Sequence, residues 1–229
     1  MRNSMSWGPA GITKKTRTKK NSKQAADSDS EGETAPVRPL ILGGRASVHS
    51  SHNCVFFQDE ISTDTISALN KEMRAVADKM LLISTIHKRS PQPIWLHLTT
   101  NGGDIYAAFS AIDCILNLGV PVYTVVDGFV ASAGTLISVA ATRRYIMPNA
   151  YMLLHELRSS MWGKFSDISD EVSNLKKIMA HIVSIYGEHT TIPARKLETI
   201  LKKDIIWNAT ECTKHGVVDG VFKGYSNDS

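Results

Sequence analysis

The sequence is poor in cysteine and has no long apolar run. Its three cysteines, Cys54, Cys114 and Cys212, are odd in number and widely spaced. This pattern matches neither a disulfide framework nor a zinc site, so we expect reduced structural thiols and no bound metal. No stretch of about 18 or more apolar residues occurs, so we predict no membrane-spanning helix. The N-terminus also lacks the apolar core of a secretory signal, and we therefore expect a cytoplasmic protein.

The positive charge belongs to the N-terminal tail and not to the folded body. The formal net charge is +4, but the first 45 residues hold nine basic and four acidic side chains, which leaves the remainder near −1. Residues 1–50 are poor in large apolar groups and cannot bury enough surface to offset their ordering entropy. We therefore predict a disordered basic and acidic tail over residues 1–50 and one folded domain over residues 51–225. The lysine-rich stretch 14–23 has no interleaved aromatic residues, so we expect no nucleic-acid partner.

From Asn53 onward, segments with strand character alternate with segments of helical spacing. We predict strands at 54–57, 93–100 and 120–127 and on both sides of the Pro148-Asn149 turn, and helices at 61–84, 104–119, 132–142, 167–189, 191–202 and 208–215. The first helix has Ile66, Leu69, Met73 and Ala77 on one face. This alternation predicts an α/β domain with a parallel sheet and right-handed crossovers.

Two of the strand-to-helix junctions consist of small residues, TTNGGD at 99–104 and GFVASAG at 128–134. Ligands of open α/β sheets bind beyond the carboxyl ends of the strands, where such junctions gather. Ser132 would open a helix there, at a point where the helix dipole stabilises a developing negative charge, which suits acyl transfer. A serine at this point is also a common helix cap. The G-x-S-x-G pattern is only half matched, because Val130 stands where the first glycine would be.

A nucleophilic serine needs a general base, and the base needs an acceptor that orients it. His155 ends an apolar strand one strand–turn unit after Ser132, which puts it at the carboxyl edge of the sheet. His97 lies in the middle of a strand, and we expect it in the core or on a face of the sheet. Asp204 precedes the apolar pair Ile205-Ile206, which predicts partial burial. A buried carboxylate needs a partner, and an imidazole N–H would be one.

From about Asn53 to Phe222, the chain resembles the proteolytic subunit of the caseinolytic (Clp) protease family. Five motifs follow in the family's order: LHLTTNGGDIYAAFSAIDCI, GFVASAG, MPNAYMLLHEL, FSDISDEVSNLKKI and KKDIIWNATECTKHGVVDGVF. The resemblance implies a crotonase-like (ClpP-type) α/β fold of repeated ββα units, with a projecting handle helix that starts in the fourth motif.

The same resemblance implies a role for each matching residue. Ser132 would be the nucleophile, His155 the general base and Asp204 the group that orients His155. The backbone N–H groups of Gly103 and Ala133 would form the oxyanion hole. The implied activity is that of a serine endopeptidase of the ATP-dependent Clp type, which hydrolyses unfolded protein chains. No metal or organic cofactor is implied, because any ATP would be used by a partner unfoldase.

The resemblance also implies a ring homo-oligomer, a heptamer or a double heptamer, that receives substrates from a AAA+ Clp unfoldase. The family's N-terminal docking segment is not recognisable before Asn53. A dedicated processing protease on the same fold, as in capsid maturation, therefore stays an alternative. So does a non-catalytic ring subunit, although such subunits typically lack triad residues and all three are present here. A crotonase acting on acyl-CoA thioesters would need no Ser/His/Asp set.

Overall fold

The first strand of the fold lies further upstream than the sequence predicts. The computed structural model describes residues 47–225, so the predicted disorder of residues 1–46 lies outside the described residues. Strand β1, Val48–Ser51, pairs antiparallel with β2, Cys54–Gln58. The His49 ring stacks on the Phe56 ring with the centroids 4.9 Å apart. The predicted boundary between residues 50 and 51 therefore falls inside β1, whose polar residues are ordered by pairing with the apolar strand that follows.

The rest of the described chain alternates between strands and helices, as predicted. The helices are α1 Thr63–His87, α2 Ile105–Leu116, α3 Ala133–Val139, α4 Phe165–His189, α5 Ala194–Leu201 and α6 Ala209–Lys214. The further strands are β3 Ile94–Thr100, β4 Val122–Ala131, β5 Arg143–Ile146, β6 Tyr151–Leu154, β7 Ile205–Asn208 and β8 Gly220–Val221. The predicted α/β class is therefore confirmed.

Most of the sheet is parallel. The strand order is β1-β2-β3-β4-β5-β8, and every neighbouring pair from β2 to β8 is parallel. Strand β6 pairs parallel with β4, and β7 pairs antiparallel with β6. The predicted parallel sheet is thus confirmed for its centre, with antiparallel strands β1 and β7 at two of its borders.

Strand β4 connects the main sheet to the β6–β7 pair. Its residues 123–126 pair with β5, and its residues 129–131 pair with β6. Gly128, with φ 70°, lies between these two stretches. The second half of β4 therefore carries the chain to Ser132 alongside the strand that leads to His155.

Helix starts near the site follow the capping chemistry of the sequence. The Asp104 carboxylate accepts the N–H of Ala107 at 2.8 Å at the start of α2, as expected for an N-cap. Ser62 caps α1 by accepting the N–H of Thr65 at 3.2 Å. The predicted apolar face of α1, with Leu69 and Met73 at its centre, is buried. These two caps fix the helices on either side of the double-glycine turn.

Candidate active site

Ser132 occupies a strained turn between β4 and α3. Its φ of 56° and ψ of −128° are rarely adopted by a residue with a side chain. Its N–H donates to the Leu153 carbonyl of β6 at 2.9 Å, and its side chain makes no capping hydrogen bond to α3. The capping explanation for this serine is therefore not supported. A strained strand-to-helix turn that presents a serine hydroxyl is typical of a nucleophile.

The double glycine allows the backbone to approach this turn closely. The φ angles of Gly102 and Gly103 are 97° and 145°. A methyl group on Gly102 would lie 2.5 Å from Ser132 Cβ, and one on Gly103 would lie 2.1 Å from the Ile61 carbonyl oxygen. Ile61 donates to the Gly102 carbonyl and accepts from Asp104 N–H, both at 2.8 Å. This bridge fixes the turn and does not use the Gly103 N–H.

Both groups predicted for the oxyanion hole border the same cavity as Ser132. Gly103 and Ala133 line a cavity of about 300 Å³, together with Ser132 and His155. Ala133 is the first residue of α3, so its N–H has no acceptor within the helix. Gly103, Ala133 and the serine therefore border one space, whose volume is at the lower end of the range for ligand pockets.

His155 is half-buried at this cavity and has an unsatisfied nitrogen. Its Nδ1 atom is buried and has no hydrogen-bond partner among the described residues. Burying a polar atom without a partner costs free energy, about 1–3 kcal/mol in proteins. The imidazole therefore stands beside Ser132 without the acceptor that a catalytic histidine uses to fix its tautomer.

Asp204, the predicted acceptor, is engaged elsewhere. Its Oδ2 atom accepts from the Arg158 guanidinium, and the two side chains are 58% and 68% exposed. The predicted partial burial of Asp204 is wrong, and the apolar neighbours Ile205 and Ile206 are also about half exposed. Among the described strands, β7 pairs with β6 alone, so its other edge has no strand partner there.

The backbone nevertheless brings His155 and Asp204 to the same end of the β6–β7 pair. The antiparallel ladder of β6 and β7 pairs Leu153 with Ile206 and then Leu154 with Ile205, where it ends. His155 directly follows Leu154, and Asp204 directly precedes Ile205, so the two residues flank the last pair of the ladder. The Asp204 side chain nevertheless contacts Arg158 and not the imidazole.

Other nucleophiles and bases among the described residues fit this chemistry poorly. His97 is buried in the sheet as expected, with Nδ1 2.7 Å from Asp127 Oδ2 and Nε2 3.1 Å from the Tyr225 hydroxyl. The three cysteines are free, and burial raises the pKa of each thiol, that of Cys212 to about 12. Thiols with raised pKa values stay protonated at neutral pH and are poor nucleophiles.

Residues 47–225 contain neither a cluster of metal-ligating side chains nor a membrane-spanning helix. There, no group of three or more His, Cys, Asp or Glu side chains is arranged to hold a metal ion. In the same range, every helix is too short or too polar to cross a bilayer.

Sequence reasoning missed three side chains of the site. Tyr186 of α4 lines the cavity and bonds to Thr135 of α3, while Arg158 lies at the cavity border and holds Asp204. Arg158 follows the candidate base, His155, by three residues. This short separation was the one feature of the sequence that could have pointed to Arg158 as part of the site. The contact of Tyr186 with Thr135 spans 51 positions and leaves no local pattern.

Comparisons with known proteins give the family of this chain. The family model described as Clp protease matches residues 51–224. The ATP-dependent Clp protease proteolytic subunit 2 of Treponema denticola is 30% identical over 158 residues, which are 68% of this chain and 78% of that protein. The corresponding subunit 2 of Treponema pallidum is 26% identical, over 76% of this chain and 89% of that protein. The proteolytic subunit of Deinococcus radiodurans is 25% identical, over 65% of this chain and 72% of that protein. The chain belongs to the Clp protease family, and its fold is the crotonase-like α/β fold of that family.

Proposed function

We propose that this chain is a serine endopeptidase subunit of the Clp type, with Ser132 as nucleophile and His155 as general base. The observation that carries the proposal is the strained Ser132 turn, which places the hydroxyl on one cavity with His155 and with the backbone of Gly103 and Ala133. Strain at a non-glycine residue is kept where function requires it, because it costs of the order of 1–3 kcal/mol.

In the proposed reaction, Ser132 Oγ attacks the carbonyl carbon of the scissile peptide bond while His155 Nε2 takes its proton. The oxyanion of the tetrahedral intermediate accepts hydrogen bonds from the N–H groups of Gly103 and Ala133. His155 then gives the proton to the leaving amine, and water hydrolyses the acyl-enzyme in a second cycle. Asp204 accepts from His155 Nδ1 and stabilises the imidazolium in both halves of the reaction.

The proposed substrates are protein and peptide chains. The cavity beside Ser132 has apolar walls formed by Ile105, Leu136 and Ile182, which suit an apolar side chain next to the scissile bond. The chain would need no metal or organic cofactor for this chemistry. The relatives are named as subunits of ATP-dependent proteases, and we propose that ATP is used by a partner AAA+ unfoldase and that the protein acts in the cytoplasm.

We also propose that copies of the chain assemble into a ring, a heptamer or a double heptamer, through the α4 handle among other surfaces. Trp162, which lies shortly before α4, and Phe165, the first residue of α4, are 100% and 88% exposed. Burying an apolar side chain of this size stabilises an interface by roughly 1.5–3 kcal/mol. Large exposed apolar groups at a helix start are typical of contact surfaces with another chain.

One observation favours a second candidate, a non-catalytic ring subunit. Asp204 contacts Arg158 and not His155, so the triad is incomplete in this arrangement. The strained Ser132 favours catalysis, since a non-catalytic subunit would gain nothing from it. A dedicated processing protease would have the same site as the proposed Clp-type subunit. It would differ from that subunit only in its substrate and its partner.

Labelling with a fluorophosphonate probe, followed by peptide mapping, tests the proposal without the natural substrate. We expect the probe on Ser132 in the wild type and none in His155→Ala. His181→Ala, which removes an exposed histidine of α4, is the matched control and should label like the wild type. A protein that assembles normally but leaves Ser132 unmodified would favour the non-catalytic subunit.

A further inference from the structure

Two features of the site are linked by the Arg158–Asp204 ion pair. The candidate base has an unsatisfied ring nitrogen, and the carboxylate predicted to accept from it contacts another side chain. His155 Nδ1 is buried without a partner, while the Asp204 carboxylate contacts the Arg158 guanidinium. His155 and Asp204 flank the last pair of the β6–β7 ladder, Leu154 and Ile205. The carboxylate therefore has two possible partners near it, an imidazole N–H and a guanidinium.

We propose that Arg158 acts as a latch that withholds Asp204 from His155, so that release of this ion pair completes the catalytic triad. The inference rests on the proposed serine peptidase function and adds a means of control to the same site. Arg158 is not a catalytic residue in this scheme, because it acts on His155 only through Asp204. It restrains activity as long as its guanidinium holds the carboxylate.

The exposure of the pair makes the latch easy to open. Both side chains are more than half exposed, and ion pairs between exposed side chains typically contribute little to stability. Opening requires the Asp204 side chain to rotate toward His155, which flanks the same end of the β6–β7 ladder. The rotation would also give His155 Nδ1 the acceptor it lacks. The two arrangements of Asp204 therefore differ little in free energy, and a small change at Arg158 can shift the balance between them.

Because Arg158 and His155 compete for the Asp204 carboxylate, the acylation rate of Ser132 should depend on the salt concentration. Added salt weakens exposed ion pairs more than hydrogen bonds within a half-buried site. The acylation rate of Ser132 should therefore rise with salt in the wild type, as the guanidinium releases the carboxylate. A variant without the cation at position 158 should lose most of this rise.

The test compares acylation rates of Ser132 by a fluorophosphonate probe in the assembled full-length protein. Arg158→Met keeps an unbranched apolar stem and removes the charged guanidinium, and we expect it to acylate roughly two- to fivefold faster than the wild type. Arg158→Lys keeps the charge and should stay close to the wild type. Lys203→Ala removes an exposed cation next to Asp204 in sequence and is the control for a general charge effect.

Two further readouts separate a latch from a merely structural role. In Arg158→Met, the proton on His155 Nδ1 should appear as a far-downfield resonance in the NMR spectrum, because it is then bonded to a carboxylate. The double variant Arg158→Met/Asp204→Asn should acylate no faster than Asp204→Asn alone, since the gain depends on the carboxylate.

The possible outcomes distinguish this inference from the proposed function. If Ser132 is labelled in the wild type and Arg158→Met is equally fast or slower, the latch is refuted while the peptidase assignment stands. If the gain persists without the Asp204 carboxylate, the latch is refuted as well. If neither the wild type nor Arg158→Met is labelled at Ser132, the proposed function fails and the latch fails with it.

Discussion

The hydroxyl of Tyr186 on α4 lies 2.5 Å from the hydroxyl oxygen of Thr135 on α3. Thr135 donates its own proton to the Ser132 carbonyl at 2.6 Å, so Tyr186 is the donor to Thr135. The chain of hydrogen bonds thus runs from the handle helix to the backbone of the candidate nucleophile. The position of α4 and the shape of the Ser132 turn are therefore coupled.

Removing this hydroxyl should slow the reaction of Ser132. In Tyr186→Phe the ring still fills its buried site, but Thr135 loses the donor that fixes its rotamer, at a cost of about 1 kcal/mol. We expect a few-fold lower acylation rate in the fluorophosphonate assay. Tyr151→Phe, on exposed Tyr151 of β6, serves as the control. Equal rates in Tyr186→Phe and the wild type would show that the turn holds its shape without this bond.

The same tyrosine predicts a loss of stability at alkaline pH. Burial raises the pKa of Tyr186 above its ordinary value near 10. The folded state then keeps a proton that the unfolded state loses, so the stabilising contribution is complete below about pH 10 and decreases as the pH rises further. Between about pH 9 and 11, the Tm of the wild type should fall more steeply than that of Tyr186→Phe. Parallel curves would contradict this account; burial also raises the pKa of Tyr225, to about 12, but equally in both proteins.

Ser132→Ala should abolish peptide hydrolysis and leave the assembly intact. Loss of a nucleophile typically lowers kcat by a factor of the order of 10⁴–10⁶. Ser138 is a matched control on the same helix, since its hydroxyl is buried without a hydrogen-bond partner in the described chain. Ser138→Ala should therefore keep both its activity and its stability. Turnover at the wild-type rate in Ser132→Ala would refute the assignment of the nucleophile.

Gly103→Ala should lower both activity and stability. The new methyl group would lie 2.1 Å from the Ile61 carbonyl oxygen, so the bridge that fixes the turn must shift. Forced contacts of this kind cost roughly 1–3 kcal/mol. Gly119→Ala is the matched control, because Gly119 also has a positive φ, of 73°, but its added methyl would meet nothing within 4 Å. Activity and thermal unfolding of the two variants measure the effect of the contact, and equal losses would mean that backbone strain alone is responsible.

The local features of this fold were predictable, because they depend on residues close in sequence. The buried face of α1, the Asp104 cap and the close approach at the double glycine all follow from short patterns. The strand β1 was not predicted, because its polar residues gain their order from pairing with β2 and not from their own periodicity. Family resemblance was visible for the same reason, since its motifs are short and follow one order.

The environment of the candidate site was less predictable, because it depends on pairs far apart in sequence. Ser132 and His155 follow neighbouring strands, and order along the chain was enough to bring them together. Arg158 and Asp204 are 46 positions apart, and no local pattern shows which partner the carboxylate selects. The expected burial of Asp204 relied on its apolar neighbours, which β7 leaves half exposed at the border of the sheet.

Strand β7 should open by local unfolding more readily than the central strands of the sheet. Among the described strands it pairs with β6 alone, whereas β3 and β4 lie between neighbours on both sides. Segments held on one side open by local unfolding at a lower free energy than the core does. The amide hydrogens of Ile205–Asn208 should thus exchange with solvent sooner than those of the central strands. Asp204, which directly precedes this strand, would leave its place near His155 in each such opening, so the site would be lost and regained many times within the lifetime of one folded molecule.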